Sequence, residues 1–133
     1  MSQIADFLTT NEGKSELANN GLPSTCTFNL STKTVEEVGA EATYAGGFSV
    51  ATGTGYTSKT ESEPTAVKGK VEFAKKTWET GPATDWPSSV KSCWLSNGTS
   101  KLICGWNLQA GGGGRAMNAA NTTENFQPTL QLE

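Results

Sequence analysis

Hydrophobic positions in this chain concentrate in one segment. Val90-Lys91-Ser92-Cys93-Trp94-Leu95 leads into Ser96-Asn97-Gly98-Thr99-Ser100, and Lys101-Leu102-Ile103-Cys104-Gly105-Trp106-Asn107-Leu108 follows. Two apolar runs around an Asn-Gly step predict a β-hairpin. Side chains alternate between faces along a strand, so Leu102, Cys104, Trp106 and Leu108 are expected on one face, with Ile103 on the other. A two-residue loop at Gly98-Thr99 sets Cys93 opposite Cys104 and Leu95 opposite Leu102, with Trp94 facing Ile103 on the reverse side. A loop at Asn97-Gly98 changes the partners and keeps the faces. A ribbon wet on one side would alternate more cleanly with polar residues. This one needs cover on both sides, from its own fold or from another subunit, and that points toward assembly more than chemistry.

Elsewhere the pattern is weaker but readable. Ile4, Phe7 and Leu8 form a stripe at helical spacing that Ser2 can cap, Leu17 extends it, and Asn20-Gly21 followed by Pro23 stops it. This arm, residues 1–22, packs on its own core or docks on a neighbouring subunit. Thr25 to Ser31 alternates as a strand, with Cys26, Phe28 and Leu30 inward. Residues 32–47 read as a loop with one helical turn over Glu36-Glu37. The glycines of 46–55 lack the Gly-Lys-Ser/Thr of a phosphate loop and signal a bulge or a close approach of another backbone instead. Tyr56 to Glu63 suits a polar edge strand. Val67 to Phe73 is a strand with Val67, Val71 and Phe73 on one face, continued after a bend by Thr77-Trp78-Glu79. Residues 109–125 form a long Gly-rich loop around Arg115, a length that in a compact domain signals function or disorder. Phe126 to Leu132 closes the chain as an edge strand, with Pro128 barring a central place. The sum is all-β: an antiparallel sandwich or jelly-roll-like barrel with a short N-terminal helix, one domain over residues 1–133.

Composition narrows the function. The 133 residues carry a net charge of −3, with scattered basic residues, which argues against nucleic acid. No histidine is present, which removes Ser-His-Asp and Cys-His nucleophilic sites and His-containing metal sites. Cys26, Cys93 and Cys104 show no C-x-x-C spacing, so neither a metal site nor a cofactor is expected. Cys93 and Cys104 are expected as reduced, buried thiols, given cytoplasmic synthesis, with a cross-strand disulfide as the alternative. The N-terminus lacks a basic region and continuous apolar run of the secretory kind, and no segment approaches the roughly 20 apolar residues of a membrane span. Asp85 beside Trp86 reads as a turn residue. Trp78, Trp86, Trp94 and Trp106 fit packing or interface contact; a stacking platform for sugars is the alternative. No acid, base and nucleophile converge, so a non-enzymatic role is expected.

In order, Ile4-Ala5-Asp6-Phe7-Leu8, Cys26-Thr27-Phe28-Asn29-Leu30, Gly53 to Tyr56, Val71-Glu72-Phe73, the Trp94-Leu95 to Trp106 hairpin and Phe126-Gln127-Pro128-Thr129-Leu130-Gln131-Leu132 span most of the chain. This succession resembles small virion proteins of tailed bacteriophages. It departs from them in the Gly111–Gly114 tract, where a Gly-Asp turn is common, and in a basic residue displaced to Lys59. The resemblance implies a head decoration (cement) or head–tail accessory protein on the virion surface. Its expected partner is the major capsid protein, and its expected state a homo-oligomer, trimer or dimer. Ile4, Phe7, Leu8, Trp94, Trp106 and the loop around Arg115 are then the expected contact residues. A tail or fibre component with a carbohydrate-binding tryptophan surface is the alternative.

Overall fold

The computed structural model describes residues 7–46, 48–53, 55–62, 64–80, 85–109, 113–118 and 121–131. The elements run β1 (Phe7–Thr9), α1 (Asn11–Asn20), β2 (Thr25–Ser31), α2 (Val35–Val38), β3 (Lys59–Ser62), β4 (Lys70–Glu72), β5 (Lys76–Glu79), β6 (Ser92–Ser96), β7 (Leu102–Asn107), β8 (Thr123–Phe126) and β9 (Thr129–Gln131). An antiparallel five-stranded sheet has the order β1-β7-β6-β2-β3, and two ribbons, β4-β9 and β5-β8, accompany it. The chain is an all-β antiparallel fold with a short N-terminal helix.

Two apolar layers sandwich the sheet. On the inner face, Cys26, Phe28 and Leu30 of β2 join Cys93 and Leu95 of β6 and Cys104 and Trp106 of β7. The ribbons cover them with Val71, Trp78 and Leu130. Phe28 meets Phe73 edge-on at 5.0 Å, and the Trp106 indole donates to the Thr129 carbonyl at 2.9 Å. On the outer face, Trp94 and Leu102 are covered by Val35, Ala42 and Phe48. The capping box at Thr34 and Glu37 starts α2 there, and Asn107 accepts the Val35 N–H at 2.9 Å. The central hairpin is therefore dry on both sides within a single chain.

The hairpin register differs from the two-residue-loop expectation. Cys93 pairs with Trp106, Trp94 with Gly105 and Leu95 with Cys104, and an irregularity follows before Ser96 meets Leu102. The turn spans residues 97–101 because the Asn97 carboxamide oxygen accepts the N–H groups of Thr99, Ser100 and Lys101. The extra residue, Ile103, sends Leu102 to the Trp94 side and leaves Cys104 and Trp106 on the other. Gly105 is required opposite Trp94, since a Cβ there would lie 2.4 Å from the indole.

Other sequence expectations are corrected locally. Phe7 and Leu8 sit on a strand, not a helical stripe, because antiparallel pairing with β7 bonds the Leu8 backbone to Gly105 and seats Phe7 opposite Trp106, which three residues of helix would not. The helix starts later, capped by Thr10, whose hydroxyl accepts the Gly13 N–H at 2.8 Å. Its stop at Gly21 is as expected. Ser2 and Ile4 lie outside the described residues. Val67 is 66% exposed at the base of a tight turn, bridged to Lys70 and away from buried Val71 and Phe73. The 109–125 loop gives way to β8 at Thr123, because Trp78 and Lys76 of β5 offer it a pairing edge. Pro128 divides the closing strand into β8 and β9.

Candidate docking site

The two edges of the five-stranded sheet are built differently. At one edge, β3 carries Lys59 and Glu61. Glu61 accepts the Ala74 N–H at 2.9 Å and the ammonium of Lys76, which is only 7% exposed. Burial works against the charged form of Glu61, but the Lys76 and Ala74 hydrogen bonds prevail and its carboxyl stays below the usual range. Lys76 also sits 5.0 Å over the Phe28 ring. Charges like these discourage pairing with a further strand.

The other edge is β1, Phe-Leu-Thr, uncharged and half-buried throughout. Phe7 packs on Trp106 at 5.7 Å between ring centroids, and Leu8 faces the outer layer with Trp94. Thr10 anchors the strand's end: its N–H donates to Ile103 O at 3.1 Å and its hydroxyl to Leu102 O at 2.6 Å. Beside β1 lies an apolar groove of about 480 Å³, lined by Thr9, Lys14, Leu17, Leu22 and Leu130 among others.

Of the described residues singled out from sequence, only Phe7 and Leu8 occupy this edge. Trp94 is fully buried and Trp106 is 7% exposed. Neither presents a surface to another subunit, because the chain supplies its own cover on each face. Trp78 and Trp86 are also buried, at 1% and 5% exposure, so no tryptophan ring is available as a sugar-stacking platform. Gly53 lies flat under Trp86, where a Cβ would come within 2.2 Å of the indole. The close neighbour is thus an indole side chain and not the second backbone that the glycines led one to expect.

Arg115 serves the fold. Its backbone exchanges two hydrogen bonds with Val90, and its Nε donates to Glu124 Oε1 at 2.5 Å. The Glu124 carboxylate is 5% exposed and the Arg115 side chain 40%. Burial raises the Glu124 carboxyl above its ordinary value, and Arg115 only partly offsets that. The folded state therefore holds this proton more tightly than the unfolded chain. Its contribution to stability is greatest below the unfolded value of 4.5 and is lost as pH rises through the folded one. Glu124→Gln, which keeps the shape of the protonated carboxyl, is expected to stabilise the protein at pH 7 and to flatten stability against pH above 4.5. Arg115→Ala, which strands the carboxylate, is expected to cost roughly 2 kcal/mol, less than a fully enclosed pair because water reaches the vacated position. Urea titrations at several pH values measure both.

The cysteines are free thiols on the inner face. Cys93 and Cys104 stand diagonally across the hairpin, not opposite each other. Burial pushes Cys26 up to about 11 and the other two well above the ordinary thiol value. The thiolate is the nucleophile, so all three are inert at neutral pH. Asp85 is exposed. Among the described residues no group of three His, Cys, Asp or Glu is placed to hold a metal, and no helix is long and apolar enough to cross a membrane. Comparison with protein-family models, with curated proteins and with solved structures finds no match to this chain.

Proposed function

We propose that this chain is a non-enzymatic structural protein of a tailed-bacteriophage particle. In this reading it decorates the capsid exterior as a small homo-oligomer, trimer or dimer, and binds across joints in the lattice of the major capsid protein. The observation that carries the assembly reading is the uncharged, half-exposed edge strand Phe7–Thr9 beside an apolar groove, in a sheet whose opposite edge is guarded by charge. The ordered resemblance of short segments along the chain supplies the phage context. A stable contact needs roughly 1,200–2,000 Å² in total, and many weak copies on one lattice gain further from multivalency.

Co-sedimentation with shells of a tailed-phage major capsid protein tests this. The full chain is expected to pellet with the shells, and a chain lacking residues 1–6 to bind at least tenfold more weakly with unchanged thermal unfolding. Truncation must stop before β1, since removing residues 1–10 would also delete the ladder to β7 and the Thr10 cap. Equal occupancy by the truncated protein would exclude the N-terminal segment from docking. Failure of the full chain to bind any shell would end the capsid reading.

A further inference from the structure

We infer that Asn97 is a self-modification site. The turn of the central hairpin favours attack of the Gly98 amide nitrogen on the Asn97 carboxamide, and the cyclic imide so formed opens to aspartate. Ring closure of this kind is sterically easiest before glycine, which has no Cβ to obstruct the approach. The chain holds two Asn-Gly steps, Asn20-Gly21 and Asn97-Gly98. They look alike in sequence, and their settings in the fold separate them.

At Asn97 each reacting group already has a partner suited to the reaction. Its Oδ1 accepts the N–H groups of Thr99 at 3.0 Å, Ser100 at 2.8 Å and Lys101 at 2.9 Å. Negative charge develops on that oxygen when Cγ becomes tetrahedral, and donors already in place stabilise it without reorganising. The Gly98 N–H donates to Ser96 Oγ at 3.1 Å, which orients the attacking nitrogen. On its far side Gly98 is held by Tyr44, whose hydroxyl donates to the Gly98 carbonyl at 3.0 Å. The leaving nitrogen, Asn97 Nδ2, donates to Ser100 Oγ at 3.2 Å. Ser100 is exposed, so its hydroxyl can turn, protonate the departing amine and recover a proton from water.

Asn20 has the opposite setting. It is the last residue of α1, and the Gly21 N–H donates to Leu17 O at 3.1 Å. Closing the ring there would break that bond and pull Asn20 out of helical geometry.

The balance at Asn97 is simple. The Gly98 nitrogen loses its proton to water, the N–Cγ bond forms, the Cγ–Nδ2 bond breaks and ammonia leaves. Water then opens the imide, so the net change is amide plus water to acid plus ammonia. Opening at Cγ gives aspartate, whose carboxylate regains the three N–H groups as charge-assisted bonds. Opening at the Asn97 main-chain carbonyl gives isoaspartate, which adds a carbon to the backbone and displaces the Asn97 N–H from Lys101 O, now 3.1 Å away. The folded turn therefore favours aspartate.

Peptide mapping by mass spectrometry tests this on the full chain, incubated folded in mildly alkaline buffer and, in parallel, unfolded in urea. In the folded chain Asn97 is expected to convert at least fivefold faster than Asn20, with aspartate as the main product. In urea the two sites should convert alike. Ser100→Ala is expected to slow Asn97 at least threefold, to leave Asn20 as an unchanged internal reference, and to be rescued by Ser100→Thr, which restores the hydroxyl. An Asn97→Asp chain should show a raised urea midpoint. Asn20 converting as fast as Asn97 in the folded chain, or no conversion at Asn97, overturns the inference. Ser100→Ala without effect removes Ser100 as proton donor, and a lowered midpoint for Asn97→Asp removes the preference for aspartate.

Discussion

Trp94→Ala is expected to cost 3–5 kcal/mol of folding stability, about the range for emptying a buried aromatic site. The indole is fully buried between Gly105 on one side and Phe48 on the other, the latter at 6.2 Å between ring centroids. Its Nε1 donates to Ser92 Oγ at 2.7 Å, and that hydroxyl donates in turn to Lys33 O at 2.5 Å. Alanine therefore leaves a cavity and loosens the chain link that holds the α2 segment over the sheet. Small domains are stable by roughly 5–15 kcal/mol, so the loss takes a large share. The urea midpoint should fall accordingly, with native tryptophan fluorescence as the probe. The same experiment separates two roles for this residue. A tryptophan reserved for a neighbouring subunit would leave isolated-chain stability nearly untouched when removed, whereas the buried position requires the full loss.

Gly13→Ala is the second large effect, and its sign is unusual. Alanine in place of glycine within a helix ordinarily gains about 1 kcal/mol. Here a Cβ would lie 2.0 Å from the carbonyl oxygen of Ile103 and 2.7 Å from its carbonyl carbon. Those are backbone atoms of a central strand and cannot swing aside. The helix would have to retreat, although Thr10 bonds both Leu102 O and Ile103 O and Glu12 accepts the Leu102 N–H at 2.9 Å. Overpacking of this kind costs roughly 1–3 kcal/mol. Hydrogen exchange should show the loss first at the amides of α1 and at Leu102. A gain in stability would mean that the helix does not rest on β7 as closely as described.

Both effects bear on how the candidate site is built. The β1 edge is available only because α1 and Thr10 fix where the strand ends. Weakening that junction by Gly13→Ala should therefore loosen β1 together with the helix, whereas Trp94→Ala acts from the outer layer beneath Leu8.

Several elements are written in the residues closest to them. The alternation of Cys26, Phe28 and Leu30 defines β2 to the residue. Asn20-Gly21 ends α1, and Glu36-Glu37 mark the single turn of α2. The polar stretch before Pro64 contains the edge strand β3. Each of these signals is local: a period, a cap or a glycine acts within a few residues. The structure departs from these local signals where a partner far along the chain makes the choice. Phe7 and Leu8 are compatible with a helical stripe or a strand, and Trp106 and Gly105 select the strand. The place of Ile103 depends on how Asn97 folds the turn. Arg115, expected from sequence as a contact residue in a long loop, is bound by Glu124, a partner that nothing nearby in sequence announces.

The sequence by itself determined an all-β chain with a short helix, a central hairpin apolar on both faces, and no histidine chemistry, since these follow from composition and short-range periodicity. Only the tertiary structure decided that the hairpin's two dry faces are covered by the same chain and that β1 is the unguarded edge. Burial and edge position depend on which distant segments meet, and a run of apolar residues states that it must be covered without stating by what.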